Sequence, residues 1–233
     1  MAKPEHLKAL RQGAEAFANW RSAHPDEALD LEGADLSGAD LRGLRIRNAN
    51  LRRANLTDAK LSRASLAGAD LQDANLTGAD LGRANLVNAN LAGANLTNVN
   101  LYWADLRSAR LQGATLRWSR AMRASFLNAD LTSADFSQAT LIEVDLRNAN
   151  LSDANFSSAN MNGADVSRAV MKGADFTRAM IRDSMWIMTD MRHANFKQAS
   201  LHRSDLSMAR YDATTRFPDG FDPQNTGNKD VVD

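Results

Sequence analysis

The chain has 233 residues, and its 28 Lys and Arg are balanced by 28 Asp and Glu. Because coating of nucleic acid draws its affinity from an excess of Lys and Arg, this zero net charge argues against that class of partner. The lack of cysteine excludes disulfides, thiolate metal ligands and thiol nucleophiles.

The N-terminal segment has the pattern of neither a leader nor a membrane anchor. Residues 1–17 alternate charged and apolar side chains and lack the continuous apolar core of a signal peptide. No later stretch approaches the ~20 apolar residues that a membrane span needs. We therefore expect a cytoplasmic protein that does not associate with membranes.

Residues 4–22 predict one amphipathic helix. Pro4 suits a first helical turn, and the helix should end before Pro25. We expect this helix, within an N-terminal cap of residues 1–28, to pack over the first coil of the repeat described below. A membrane-surface helix is the alternative, but the polar face lacks the required excess of Lys and Arg. The predicted apolar stripe comprises Leu7, Leu10, Ala14, Phe17 and Trp20.

A large apolar residue then recurs at every fifth position from residue 31 to residue 211, without a break in register. We call these positions centres. Of the 37 centres, 23 are Leu, five are Phe, and the one small centre is Ala121. Ala stands two residues before the centre in 29 units, and Asp or Asn stands one residue before it in 24. Such a period indicates a solenoid.

A period of five fits neither an α-helix nor a flat strand. On a helix the centres would fall about 140° apart, and on a strand they would alternate between faces. Only a chain that turns after every unit directs all centres inward. Phe136, Phe156, Phe176 and Phe196 recur at intervals of 20 residues, or four units. The sequence therefore predicts a square coil with four sides, repeated about nine times.

Each position of the unit has a physical role in such a coil. The centre fills the interior, and the Ala two residues earlier is small because the interior is narrow. The Asp or Asn before the centre is expected to bond to nearby backbone at a corner. Nine of the 13 glycines stand two residues after a centre, where a tight corner favours glycine.

Units such as ADLSG, ANLTG and ADLGR resemble the pentapeptide-repeat family, whose consensus is A(D/N)LXX. The resemblance covers residues 29–213. It implies an all-β solenoid, specifically a right-handed quadrilateral β-helix. The handedness comes from the resemblance, whereas the four sides follow from the periodicity.

The C-terminal segment, residues 214–233, carries turn signals and two phenylalanines. We interpret Phe217 and Phe221 as a plug on the last coil, followed by a loose tail from about Thr226. The resemblance implies that gyrase-binding relatives pair through their C-terminal coils. A terminating cap at this end favours a monomer over a dimer.

The sequence shows no recognisable constellation for catalysis, for a cofactor or for a metal. No pair of the four histidines has metal-ligand spacing, and we interpret them as surface residues. The GxGxxG, GxxxxGK[ST] and GxSxG motifs are absent. The many Asp residues are explained by their corner position. We therefore expect a protein that is not an enzyme.

Outward positions near the middle of the repeat carry large side chains where small or polar residues are usual. The register places them near one another around coils four to six, when coils are counted in groups of four units from residue 31. Exposed aromatic and aliphatic residues beside arginine are typical of a protein-binding surface. This candidate partner surface comprises Tyr102, Trp103, Trp118, Met122, Arg123, Leu127 and Ile142.

Coil five leaves a second interpretation of this cluster open. Ser119 and Ala121 replace the usual Ala and Leu, so the interior is underfilled there. Trp118 or Met122 would then bend inward to fill the gap, and the cluster would belong to the core.

Trp186 is the other irregular centre. The small Val166, one coil earlier, makes room for it. Met180, Met185 and Met188 are then expected to face outward or toward a corner. Methionines in such places form either a yielding contact surface or part of a locally widened coil, and we favour the widened coil.

Three functions follow from these features. The leading one is a non-catalytic scaffold for a protein partner of unknown identity. The resemblance adds an alternative, because some family members bind DNA gyrase or topoisomerase IV and confer quinolone or toxin resistance by imitating duplex DNA. Mimicry needs an acidic surface, whereas residues 51–130 carry ten Lys and Arg against six Asp and Glu.

The third function, nucleic-acid binding, is disfavoured because aspartates interrupt the cations, so no nucleic-acid partner is expected.

Overall fold

The computed structural model describes residues 2–25 and 27–225. Between residues 30 and 216 the backbone forms short parallel bridges. Each joins a residue to the one 20 positions later, as Asp30 does with Asn50 and Met185 with Asp205. The interval holds on every side, which confirms four units per coil. The last bridge, from Asn195 to Arg216, spans one residue more because the repeat ends there.

Every unit ends in a tight turn whose second residue is left-handed. From residue 33 to residue 208, the residue two positions after each centre has a positive φ. Glycine does occupy some of these positions, as predicted, but most hold other residues, such as Arg63 with φ +59°. A left-handed non-glycine residue costs roughly 1–2 kcal/mol. The bonds between coils hold it there: the N–H of Arg63 donates to the carbonyl of Gly82 at 2.9 Å.

The Asp or Asn before each centre bonds to the backbone at the corner, as the sequence predicts. Oδ1 of Asp35 accepts the N–H of Ser37 at 3.2 Å. The same oxygen also accepts Nδ2 of Asn55, one coil further on, at 3.0 Å. This second bond, which the sequence reading missed, turns the corner residues into ladders that join successive coils.

From residue 31 to residue 206 the interior is a column of buried centres and buried alanines. Tyr211, predicted as the last inward centre, is instead 37% exposed, because no further regular coil covers it. On one side, the rings of Phe136, Phe156, Phe176 and Phe196 stack with centroids 4.9–5.1 Å apart and planes within 5°. Side chains twenty positions apart therefore lie directly over one another. The apolar area that this column removes from water is the main stabilising contribution to the rod.

Trp186 is fully buried, and its indole N–H is hydrogen-bonded through a chain of two serines. Its Nε1 donates to Oγ of Ser184 at 2.8 Å, which lies 2.9 Å from Oγ of Ser204. Ser204 in turn donates to the carbonyl of Ile181 at 2.6 Å. Both serines replace the usual Ala, so the repeat itself is altered to satisfy a buried N–H. The methionines around Trp186 are exposed: Met180, Met185 and Met188.

The N-terminal segment forms two helices rather than the single predicted helix over residues 4–22. The first, α1, is Pro4–Arg11, and the second, α2, is Ala14–Ala23. Gly13, with φ +95°, breaks the helix between them. The amphipathic stripe concealed this break because its spacing continues across the glycine. None of the helices in the described residues is both long enough and apolar enough to cross a membrane.

The helices pack against the start of the repeat. Phe17 is buried, and Trp20 is partly buried against the same core. His6, which the sequence analysis treated as a surface residue, is fully buried. Its Nδ1 accepts the N–H of Asp30 at 2.9 Å, and its Nε2 lies 3.0 Å from Oε1 of Glu27. A histidine pattern in sequence gives no sign of such tertiary partners.

Phe217 and Phe221 extend the interior aromatic column beyond the last regular coil. The ring of Phe217 stacks on Phe196 at 5.7 Å, and Phe221 stacks on Phe217 at 5.4 Å. A short 3-10 helix, Pro223–Asn225, follows. The predicted tail from Thr226 lies outside the described residues.

Candidate functional site

Two adjacent outward aromatics, Tyr102 and Trp103, lie on the corner that follows the third side of the coil. This corner is formed by the two turn residues after centres 41, 61, 81 and so on, and we call it the aromatic corner. Tyr102 is 36% exposed and Trp103 is 49% exposed, so neither ring belongs to the interior. Trp103 has φ +56°, the left-handed conformation of its turn position. The backbone of the turn therefore directs its side chain away from the rod.

Side-chain contacts join the residues of the aromatic corner along the axis of the rod. The rings of Tyr102 and Trp103 meet edge to face at 6.3 Å. The guanidinium of Arg123, one coil further on, lies over the Trp103 ring at 5.5 Å. Nε of Arg123 donates to Oε2 of Glu143 at 2.6 Å, and this bond holds the pKa of Glu143 below its ordinary value. The corner is thus a connected aromatic, cationic and anionic column.

The structure places five of the seven predicted surface residues on the aromatic corner and two elsewhere. Trp118 lies on the preceding corner, where its Nε1 donates to Gln138 at 3.0 Å and Arg117 stacks on its ring at 4.8 Å. Leu127 lies on the following corner and is partly buried. The five on the aromatic corner are Tyr102, Trp103, Met122, Arg123 and Ile142.

Trp118 does not fill the interior of coil five. Its side chain is 48% exposed, and Met122 has the partial burial that most residues directly after a centre have. Phe126, a larger centre than Leu, lies in the same coil as Ala121 and meets Phe136 edge to face at 5.8 Å. The exposed indole of Trp118 points outward, as does that of Trp103, and this orientation argues against the alternative in which Trp118 fills the interior.

Among the described residues, Glu5, His6 and Glu27 bring potential metal-ligand atoms within 4.8 Å of one another. Their hydrogen bonds give the group a structural role. Oε1 of Glu27 faces Nε2 of His6 at 3.0 Å and accepts Nζ of Lys3 at 2.9 Å. The bonds from Lys3 and His6 lower the pKa of Glu27 to about 2. The carboxylate thereby ties α1 to the segment that leads into the first coil.

Models of known families match most of the repeat. The family of pentapeptide repeats matches residues 28–58, 49–86, 74–113 and 109–148, and a pentapeptide repeat region matches residues 129–206. The chain belongs to the pentapeptide-repeat family. This agrees with the resemblance found in the sequence and with the right-handed quadrilateral β-helix that it implied.

One pair of solved structures supports the same fold. Two trypsin-treated variants of QnrB1, a plasmid-mediated fluoroquinolone resistance protein, align with TM-score 0.53 and 22% identity, covering 80% of this chain and 91% of theirs. A pentapeptide-repeat protein of the Arabidopsis thaliana thylakoid lumen is 37% identical over 47% of this chain and 66% of its own, with TM-score 0.22. No characterised protein sequence gives a significant match. The QnrB1 alignment supports the fold alone, because its sequence identity is low.

Proposed function

We propose that this pentapeptide-repeat protein is a non-catalytic scaffold that binds another protein through the aromatic corner. In this proposal the rod has about nine coils, α1 and α2 cap its first coil, and the phenylalanine plug caps its last. The single observation that carries the proposal is the exposure of two adjacent aromatic rings, Tyr102 and Trp103, on a solenoid whose other corners are mostly small or polar. Tyr and Trp are enriched at the energetic centres of protein interfaces.

The backbone supports this role by fixing the aromatic side chains before a partner arrives. The N–H of Trp103 donates to the carbonyl of Met122 at 3.1 Å, and the carbonyl of Tyr102 accepts the N–H of Arg83 at 2.8 Å. Each turn is therefore bonded to the turns on both sides of it. A preorganised surface loses little conformational entropy on binding, so a small patch can bind effectively.

A capture experiment with matched variants tests the proposal. The double substitution Tyr102→Asn and Trp103→Asn removes both rings, while Asn suits a left-handed corner. We expect the proteins captured from a lysate by the wild type to be lost with this variant, while its melting temperature stays within a few degrees of the wild-type value. Arg53→Asn, a corner substitution on another side, should retain them. Capture of the same proteins by the double variant would contradict the proposal.

Gyrase binding is the second candidate, and the QnrB1 fold is the observation that favours it. QnrB1 is described as a fluoroquinolone resistance protein, and the resemblance links such resistance to binding of gyrase. The charge opposes it, since residues 51–130 carry an excess of cations rather than an acidic surface. A gyrase supercoiling assay with and without a quinolone decides the question: protection from the drug would favour this candidate over the first.

We also propose that the protein acts in the cytoplasm as a monomer. The contacts of Phe217 and Phe221 over the end of the interior motivate the monomer. Light scattering of the purified chain should give a mass close to 25.4 kDa. A mass of twice that value would replace the monomer with a dimer.

A further inference from the structure

Three arginines and a tryptophan occupy equivalent positions on successive coils of the aromatic corner. Arg63, Arg83, Trp103 and Arg123 each stand two residues after a centre, with φ between +56° and +59°. Because coils lie about 4.8 Å apart, the four side chains leave the rod at regular intervals along one edge. We call this edge the basic ridge.

Two of these arginines are exposed and have no carboxylate partner in the described part of the chain. Arg63 and Arg83 form no side-chain hydrogen bond or ion pair there. Many other arginines of the rod are engaged: Arg42 with Asp40, and Arg123 with Glu143. The ridge therefore carries two adjacent uncompensated positive charges.

A shallow groove runs beside Arg63 and Arg83. Ser62 and Gly82 line its floor, since these residues are small where Arg42 and Tyr102 stand in the coils before and after. A Cβ on Gly82 would lie 3.1 Å from Oδ1 of Asp80, so a side chain at this position would crowd Asp80 and partly fill the groove. The groove is thus closed at one end by Arg42 and at the other by the Tyr102 ring.

The two carboxylates in the groove are already engaged. Arg42 binds Asp40 through two hydrogen bonds, from Nε at 2.8 Å and from Nη2 at 2.5 Å. Oδ1 of Asp80 accepts the N–H of Gly82 at 3.0 Å and Nδ2 of Asn100 at 2.7 Å. Three arginines and two carboxylates line the groove, so its net charge is positive and favours an anionic ligand that also has an apolar group for Tyr102.

We propose that the basic ridge and its groove bind an acidic, extended peptide segment of a partner protein. Carboxylates of the segment pair with Arg63 and Arg83, and an apolar side chain next to them packs on Tyr102 and Trp103. This inference rests on the proposed scaffold function and adds the chemistry of the partner to it. It also reverses the charge relationship of a DNA mimic, which would offer the acidic surface itself.

Charge on the same surface favours a peptide over nucleic acid. Strong duplex binding uses about 6–10 phosphate contacts, whereas the ridge offers two free arginines. Glu143 then ends the positive run at the far side of Arg123. A short acidic segment needs only the charges that this groove provides.

Selection of peptides on the intact protein tests the proposal. Immobilised full-length chain is used to select from a random dodecapeptide phage library, and the enriched peptides are made with a fluorescein label for anisotropy titrations. We expect enrichment of Asp and Glu next to one aromatic or aliphatic residue. We also expect that raising NaCl from 50 to 500 mM weakens binding, since the arginines are exposed to solvent.

Two charge-reversal variants provide the matched comparison. R63E/R83E should weaken binding of the selected peptides by a factor on the order of ten or more, because two attractive charge pairs become repulsive. R53E/R110E changes the net charge equally at exposed positions away from the ridge, two residues after centre 51 and one residue before centre 111, and it should bind as the wild type does. Both variants should fold, since Glu143 already stands at a unit position equivalent to residues 53, 63 and 83, and Asp130 at one equivalent to residue 110.

Each remaining outcome overturns the inference. Enriched peptides without acidic residues, no enriched peptides, or equal weakening by both variants would show that the ridge does not select carboxylates. A labelled 20-base-pair duplex that binds more tightly than the peptides at 150 mM NaCl, and is lost in R63E/R83E, would assign the ridge to nucleic acid. If binding of the selected peptides depends on Tyr102 and Trp103 but not on the arginines, the result supports the scaffold proposal and contradicts the proposal of an acidic partner.

Discussion

Aromatic side chains lie inside the rod at several centres from residue 126 to residue 196 and outside it at the corners of coils four and five. Phe136, Phe156 and Phe176 occupy centres and stack in the interior. Tyr102 and Trp103 stand one and two residues after a centre and are exposed. The two regions share the same backbone and the same register.

The comparison shows that position within the unit, rather than hydrophobicity, decides whether a ring is core or surface. A ring at a centre is enclosed by the four sides of its coil and by the coils above and below. A ring on a corner residue points away from the rod because the corner lies outside the enclosed interior. Substitutions at the two kinds of position should therefore differ in their effect on stability.

The largest effect is expected for Phe156→Ala. It removes a ring that stacks between Phe136 and Phe176 and leaves a cavity in a narrow interior that cannot collapse. We expect a loss of roughly 3–5 kcal/mol in the free energy of unfolding, measured by chemical denaturation. Phe156→Leu is the matched control and should lose about 1.5 kcal/mol or less, since Leu is the usual centre. A loss below about 1 kcal/mol for Phe156→Ala would contradict the interior stack.

The next effect concerns the hydrogen bond of the buried indole. Ser184→Ala leaves the Nε1 of Trp186 without its acceptor, and a buried unpaired donor costs about 1–3 kcal/mol. A double-mutant cycle with Trp186→Phe isolates this bond, because phenylalanine has no N–H to satisfy. Ser184→Ala should therefore cost less in the Trp186→Phe background. Equal costs in the two backgrounds would assign the effect to Ser204 or to packing instead.

A smaller effect is expected from acid at the N-terminal helices. The hydrogen bonds from Lys3 and His6 lower the pKa of Glu27 to about 2, below its ordinary value of 4.5. A depressed pKa in the folded state stabilises above the unfolded value, and this contribution is lost as the pH falls from 4.5 toward 2. Amide hydrogen exchange in α1 should accordingly become faster over this range.

Two variants separate this effect from general acid sensitivity. Glu27→Gln should exchange faster in α1 already at pH 6 and should respond less to acid, because it lacks the titrating group. Glu15→Gln makes the same change in charge at an exposed position of α2 and should behave like the wild type. If Glu27→Gln keeps the full acid response, another carboxyl group controls the attachment of α1.

The smallest effect on stability is expected for Trp103→Asn. The side chain makes its contacts outside the core, and Asn already occupies the equivalent turn position at residues 98 and 128. We expect the free energy of unfolding to change by no more than about 0.5 kcal/mol. Trp103→Val should be worse than Trp103→Asn, since a β-branched residue is strained at φ +56°. A loss near that of Phe156→Ala would place the indole in the core.

The sequence predicted the parts of the fold that depend on periodicity. The interior position of Phe156 and the corner role of Asp35 follow from spacing alone, since every unit repeats the same local environment. The helix break at Gly13, the burial of His6 and the serine pair below Trp186 were missed. Each occurs only once in the chain: one left-handed glycine between two helices, the contacts of His6 with Glu27 and Asp30, and one buried indole. A repeat pattern describes what recurs in every unit and therefore does not predict a feature that occurs once.

The candidate site shows the same division. Its residues were found because large side chains stand at positions that are usually small, but the sequence grouped Trp118 and Leu127 with residues of a different corner. The sequence also left open whether Trp118 fills the space beside Ala121. The structure shows the indole exposed and bonded to Gln138.

By itself, the sequence determined the solenoid, its four sides and the inward residue of every unit from residue 31 to residue 206, because a chain that turns after each five-residue unit buries all of these centres. Only the tertiary structure decided which arginines are paired. Arg63 and Arg123 look alike in sequence, but Arg123 binds Glu143, whereas in the described chain Arg63 forms no ion pair. Whether an arginine forms an ion pair depends on the distance to a carboxylate on a neighbouring coil. The charge that the surface offers to a partner depends on the arginines that form no such pair.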